Sequence, residues 1–226
     1  MRLTLMGNFA LEEAGRAVPL PMTAQRLVAF LALARKPVSR LYVAGHLWPD
    51  ASDTRAAASL RSALWRVRRA ADVVRADAYA LGLDPAIDVD LEAALALARR
   101  VEDPGSTVSA GDVAVLCRTD DLLPGWYDEP WLDLERECFR VRRVHALERV
   151  TERLAAEGRL DEALEAGVAA VAADPLRETA QRALIQVHLA EGNDAEAVRR
   201  FHAWERLSER SLGRGASERM RELVGV

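Results

Sequence analysis

Hydrophobic positions change period along this 226-residue chain, and the changes divide it into elements. Residues 2–9 alternate loosely. Glu12-Glu13-Ala14-Gly15 then leads to a short apolar piece at residues 17–19, which is the pattern of short strands or a hairpin. Thr23 can cap a helix in which Leu27, Phe30, Leu31 and Ala34 share one face until Lys36-Pro37. A second helix is expected from Ser39, with Leu41, Val43, Ala44 and Leu47 apolar, and it stops at Trp48-Pro49-Asp50 because proline cannot continue it. The third begins after Ser52-Asp53, a good cap, and carries Leu60, Leu64, Val67 and Ala71 at helical spacing. Val73-Val74 and residues 79–83 then read as a hairpin that ends before Pro85.

Past Asp90 the pattern is helical almost throughout, broken by turn-rich stretches at residues 102–111 and 124–127. A long helix is expected over residues 131–156. After it the chain repeats itself: Glu157-Gly158 returns as Glu191-Gly192, and Glu162-Ala163 as Glu196-Ala197, each at an offset of 34 residues. That is the period of tetratricopeptide repeats, in which a glycine closes one helix and a small alanine lets the next pack closely. Pro175 falls where such a repeat ends. The expected fold is mainly α with a small β component. A winged helix-turn-helix spans residues 1–90, and an all-α, tetratricopeptide-like helical repeat domain spans 91–226.

Charge sharpens this division. The net charge of −4 is unevenly spread, with 12 Lys+Arg against 5 Asp+Glu in residues 1–75 and 19 against 30 in residues 76–226. A basic nucleic-acid module joined to an acidic interaction module has this asymmetry. With Leu60, Leu64 and Val67 placed inward at about 100° per residue, the third helix turns Arg55, Ala58, Ser62, Trp65, Arg66 and Arg69 outward, with Ser59 and Arg61 on the flanks. Guanidinium groups can hold phosphates or pair with guanine, and small residues let a helix approach base edges. Arg55, Ser59, Arg61 and Ser62 are therefore candidates for base reading. Arg66, Arg68 and Arg69 are candidates for phosphate contact, together with Ser39 and Arg40 opening the second helix and Arg75 beside the wing, where Tyr79 is a further contact. Drift toward arginine could also produce such a face, since Lys36 is the sole lysine beside 30 arginines. Yet no Asp or Glu occurs between Thr54 and Ala71, although acidic residues abound later. Trp65 can stack on a sugar edge or pack under the wing or on the neighbouring domain; packing is the preferred reading.

Several segments carry a resemblance to a known family. They are Ala24-Gln25-Arg26, Val38-Ser39-Arg40, Leu47-Trp48-Pro49-Asp50 and the run Ser59-Leu60-Arg61-Ser62-Ala63-Leu64-Trp65-Arg66-Val67-Arg68-Arg69, then Leu122-Leu123-Pro124-Gly125-Trp126-Tyr127 and Asp174-Pro175-Leu176-Arg177-Glu178. In this order they resemble activators of the Streptomyces antibiotic regulatory protein type, which join a response-regulator-like winged helix to a bacterial transcriptional activation domain. The resemblance implies binding of double-stranded promoter DNA and recruitment of RNA polymerase, through its sigma subunit or another, with self-association on DNA left open. The wing of the family commonly carries Gly-Tyr-Arg where this chain has Ala78-Tyr79-Ala80.

Other chemistry is not indicated. Cys117 and Cys138 each sit among apolar neighbours at no metal-binding spacing and are expected to be buried thiols. His46, His145, His188 and His202 fall inside expected helices without a triad or zinc arrangement, so neither catalysis, metal nor cofactor is expected. No G-x-x-x-x-G-K-[ST] occurs, and the two domains leave no length for a phosphate-sensing domain. Without an apolar run of about 18 residues or a signal-peptide pattern, a cytoplasmic protein that does not engage membranes is expected. The rival to a DNA-binding activator is a repeat adaptor that binds protein alone.

Overall fold

A computed structural model describes residues 1–103, 105–119 and 121–225. The chain divides into two compact units. Unit 1 comprises Met1–Ala93 and Asp120–Cys138, and unit 2 comprises Ala94–Thr119 and Phe139–Val226. Through the second stretch of unit 1, residues 120–138 return to the N-terminal unit.

In unit 1, strands β1 (Arg2–Thr4), β2 (Ala10–Glu13) and β3 (Arg16–Ala17) form an antiparallel meander with its tight turn at Ala14-Gly15, both at positive φ. The short strand β7 (Asp88–Val89) lies parallel to β1 on its other side, giving the order β3-β2-β1-β7. Asp90 opens helix α4 (Asp90–Glu102) and fixes this edge, its carboxylate accepting the amides of Leu5 (2.9 Å) and Met6 (3.0 Å).

Three helices follow the meander: α1 (Met22–Ala34), α2 (Arg40–Leu47) and α3 (Asp53–Ala70), with α3 packed on both others. The apolar stripe of α3 is the expected one, with Leu60, Ala63, Leu64 and Val67 buried. Ser39 caps α2, its hydroxyl accepting the Tyr42 amide at 3.1 Å. Two expected caps differ. Pro21 is the N-cap of α1, so Thr23 lies within the helix, and Ser52 precedes α3 without a side-chain capping bond. Leu41 points out, 72% exposed, because Val43, Ala44 and Leu47 already fill the buried stripe of this two-turn helix. The expected hairpin is present as β5 (Val74–Ala76) and β6 (Ala80–Leu83). It gains a third strand, β4 (Val38–Ser39), in the order β4-β6-β5.

The returning segment is tied to unit 1 by backbone as well as side chains. The Leu123 amide donates to the Leu5 carbonyl (2.9 Å), that of Gly7 donates to the Asp121 carbonyl (2.8 Å), and Leu122 and Leu123 are fully buried. Arg136, in the first part of helix α6 (Pro130–Ala156), donates to the carbonyls of Leu122, Leu123 and Trp126. Glu129 pairs with Arg26 of α1 (2.9 Å) and accepts the Trp131 indole N–H, while the Trp131 ring packs edge-on to Phe30 at 5.3 Å.

Unit 2 is helical in its described residues. Helix α5 (Ala110–Arg118) begins with a capping box between Ser109 and Asp112, as a hydroxyl-x-x-acid spacing favours. The repeat is carried by α7 (Leu160–Ala173), α8 (Glu178–Ala190) and α9 (Asp194–Leu212), followed by α10 (Glu218–Val224). Gly158 and Gly192, 34 residues apart, both turn the chain at positive φ (75° and 73°), and Ala163 and Ala197 are both fully buried. At Gly167 a Cβ would meet Leu184 Cδ1 at 3.1 Å and Thr151 Cγ2 at 3.2 Å, so α7 approaches its neighbours as closely as a glycine allows. One core joins Leu147, Val150 and Leu154 to Ala163, Ala166, Leu184 and Val187; a second gathers Ile185, Phe201, Trp204 and Met220.

Both cysteines depart from expectation to some degree. Cys117 is half-buried, and desolvation pushes its thiol up to about 11, whereas Cys138 is exposed. Its apolar neighbours Phe139 and Val141 do not bury it, because in a long helix sequence neighbours point in different directions. Among the described residues no cluster of His, Cys, Asp or Glu could hold a metal ion, and no helix is long and apolar enough to cross a membrane.

Candidate nucleic-acid interface

The outer face of α3 follows from the spacing of its inner one. With Leu60, Leu64 and Val67 buried, the residues half a turn away, Arg55, Ala58, Ser62, Trp65, Arg66 and Arg69, are all exposed. Arg61 and Arg68 are exposed beside them, and Ser59 is half-buried. The only acid in α3 is Asp53, in its first turn. Arg55, Arg61 and Arg68 make no hydrogen bond or ion pair with any described residue. Arg66 donates to the Thr23 hydroxyl (2.8 Å), a partner that reading Thr23 as a cap overlooked. The Arg69 guanidinium lies 5.3 Å from the Trp65 ring centre. Among the described residues no carboxylate pairs with these groups, so the face concentrates positive charge within about five helical turns.

Trp65 corrects one expectation. The ring does not pack under the wing; it is 59% exposed on the arginine face. The stripe of α3 is complete without it, and position 65 lies one residue past Leu64, about 100° round the helix.

The opening of α2 and the wing are joined by Arg40. Its amide donates to the Tyr79 carbonyl (2.9 Å), and its guanidinium donates to the Asp77 carbonyl (2.8 and 3.0 Å). Asp77 builds the wing turn, since its Oδ1 accepts the amides of Tyr79 and Ala80, both at 2.7 Å. Those amides, from Ala80 first and Tyr79 second, hold the Asp77 carboxyl below its ordinary range. An Asp two to three residues before a strand is the available sequence signal for such a turn. At its tip Tyr79 is 84% exposed. Arg75 is turned to Asp84 (3.0 Å), which is held below its usual range by that guanidinium first and by the Ala86 amide second. Arg55, Arg61, Ser62, Arg66, Arg68 and Arg69 thus share one helix face, with Ser59 at its margin. Ser39, Arg40 and Tyr79 meet at the join of α2 and wing, and Arg75 is already paired.

A helix-turn-helix backed by a three-stranded wing defines unit 1 as a winged helix, and unit 2 is a tetratricopeptide-like array. The chain belongs to the bacterial transcriptional activator domain family, whose model matches residues 83–225. This is the activator-domain half of the architecture that the sequence resemblance names. Among solved structures, the fold is similar to that of Mycobacterium tuberculosis EmbR in complex with a low affinity phosphopeptide. The TM-score is 0.77 at 19% identity, and the match covers 99% of this chain and 64% of that one. This chain therefore spans a little under two thirds of that structure's length. No curated protein matches the sequence.

Proposed function

We propose that this chain is a sequence-specific, DNA-binding transcriptional activator. The observation that carries the reading is the exposed arginine face of α3, free of carboxylate partners among the described residues, on a winged-helix scaffold whose third helix is the element that enters a major groove. In this reading Arg55, Ser59, Arg61 and Ser62 reach base edges, because they lie toward the N-terminal half of the helix. Arg66, Arg68 and Arg69 grip phosphates, and Ser39 and Arg40 add contacts where α2 meets the wing. Trp65, exposed among them, lies against a sugar edge. Arg75 contributes only by leaving Asp84, and Tyr79 is the contact at the wing tip.

Membership of the activator-domain family supports recruitment of RNA polymerase by the repeat unit. The phosphopeptide of the EmbR structure is a partner of that protein. Binding to duplex DNA, titrated between roughly 50 and 200 mM salt, tests the proposal. A groove reader with several phosphate contacts loses on the order of 10³-fold in affinity over that range. An adaptor that binds protein alone shows no salt-sensitive DNA binding at all, and that result would replace this reading.

A further inference from the structure

On a side of unit 1 to which α3 contributes nothing, the wing strands and the end of α1 enclose an open pocket of about 670 Å³. Its size lies within the range of roughly 300–1,000 Å³ usual for small-molecule sites. The walls are largely apolar, with Leu31 and Ala32 from α1, Leu81 and Leu83 from β6, and Val89 from β7. Gly82 leaves the middle of β6 without a side chain. A Cβ there would stand 3.6 Å from Pro37, in ordinary contact, so the space beside it is not needed for the backbone to pass.

The charged groups at the rim are nearly all committed. Arg35 pairs with Glu92 (2.7 Å), Arg75 pairs with Asp84 (3.0 Å), and the Asp77 carboxylate is occupied by two wing amides. Lys36 alone among these lining charges makes no hydrogen bond or ion pair with a described residue. After pairing, the pocket offers an apolar floor and one cation free of any bond to a described residue, Lys36; the other lining charge left, Asp77, has its Oδ1 taken by two wing amides and lies in the field of Arg40. We infer that it binds a hydrophobic monocarboxylate, with the apolar tail on Leu31, Leu81 and Val89 and the carboxylate at Lys36. A cationic amphiphile would meet Lys36 with like charge, and a dianion would find no second free cation.

The pocket also bears on regulation, and this part rests on the DNA-binding reading above. β5 and β6 are the wing strands, so a bound carboxylate adds a negative charge at the root of the wing and opposes the phosphate backbone. A ligand shifts DNA affinity by as much as its own affinity differs between free and DNA-bound protein.

The test is calorimetric titration of the full chain with octanoate, with 1-octanol as its uncharged counterpart. Octanoate is expected to bind saturably at one site. Gly82→Val, whose Cβ would meet Pro37 at ordinary contact distance and whose methyl groups add bulk beside it, should weaken both ligands by roughly tenfold or more, with a thermal melt to show that the variant is folded. Lys36→Ala should weaken octanoate about two- to fivefold and leave 1-octanol unaffected. In a parallel DNA titration, saturating octanoate should lower the affinity of the parent and not that of Gly82→Val. Absence of saturable binding, or binding that Gly82→Val leaves intact, overturns the site whether or not the protein binds DNA. Octanoate binding with the expected variant pattern in a protein that binds no DNA upholds the site and overturns the function proposed above.

Discussion

Arg100, Arg140, Arg159 and Arg177 of unit 2 reach the carboxylates of Asp112, Asp174, Glu162 and Glu148 at 2.5–2.7 Å, whereas none of the five arginines on α3 of unit 1 reaches a carboxylate among the described residues. Identical side chains serve two ends. In the repeat unit the pairs of Arg100, Arg140 and Arg177 join elements: Arg177 precedes α8 and grips Glu148 of α6, a buried acid that also accepts the Thr179 hydroxyl. On α3 they are left to solvent, which is energetically reasonable only because an exposed guanidinium stays hydrated. A surface of one sign with no internal counter-charge is poised for an external anion. The contrast teaches that counting arginines says little, and that the disposition of carboxylates around them distinguishes a structural arginine from a binding one.

The contrast can be broken most severely from the inside of α3. Leu64→Ala should cost on the order of 2–5 kcal/mol, because it empties a buried position, and chemical denaturation would read the loss. If the variant is as stable as the parent, the inner face is misassigned and the outer face with it.

Next in size is Arg177→Ala, which leaves Glu148 buried and without its guanidinium partner. Breaking a fully buried pair costs about 3–5 kcal/mol, and partial exposure of Arg177 should bring this to roughly 2–3 kcal/mol. Gly167→Leu, in the same unit, should cost roughly 1–3 kcal/mol or more by overpacking, since its Cβ alone would crowd Leu184 and Thr151. Equal melts for either variant and the parent would remove the structural side of the comparison.

Smaller still is a pH effect at Asp112. The Arg100 guanidinium, with the Ser109 amide and hydroxyl, holds its carboxyl down to about 2. A carboxyl lowered on folding contributes stability that is present above its unfolded value of about 3.9 and lost as the pH falls through that value toward 2. With Arg100 half exposed, that contribution is on the order of 1 kcal/mol after solvent screening. Asp112→Asn should remove it, so the parent and variant stability curves should converge at the acid end of this window. A constant gap between pH 5 and pH 2 would contradict the assignment. At the bottom of the scale, Arg68→Ala should change stability by less than about 0.5 kcal/mol, since its side chain touches no described partner.

Much of this was legible in the sequence where the signal is local. The burial stripe of α3 follows from the positions of Leu60, Leu64 and Val67, and the repeat from Gly158 and Gly192. What escaped was contact between distant segments. Strand β7 is two residues long and exists because β1 lies beside it. Leu122-Leu123-Pro124-Gly125-Trp126-Tyr127 lies far along the chain from β1, yet returns to it through the Leu123 amide, and no local pattern encodes that pairing. Thr23 has the chemistry of a cap but follows Pro21, which sets the start of the helix first. On the candidate site, composition placed the arginines, but it could not show that Arg75 turns to Asp84 or that Trp65 remains in solvent.

The central claim, that the unpaired arginines of α3 exist to hold DNA, is tested most directly by titrating folded parent, Arg61→Ala and Arg68→Ala against duplexes at several salt concentrations. The duplexes should be one selected from a random-sequence pool and a scrambled control. The account predicts steep salt dependence for the parent. It predicts a slope reduced by about one ion for Arg68→Ala on both duplexes, and a loss of about 1–3 kcal/mol confined to one base position for Arg61→Ala. If both variants bind like the parent while remaining folded, or if the parent shows no salt-sensitive binding, the α3 face is not the DNA-binding surface and the account fails.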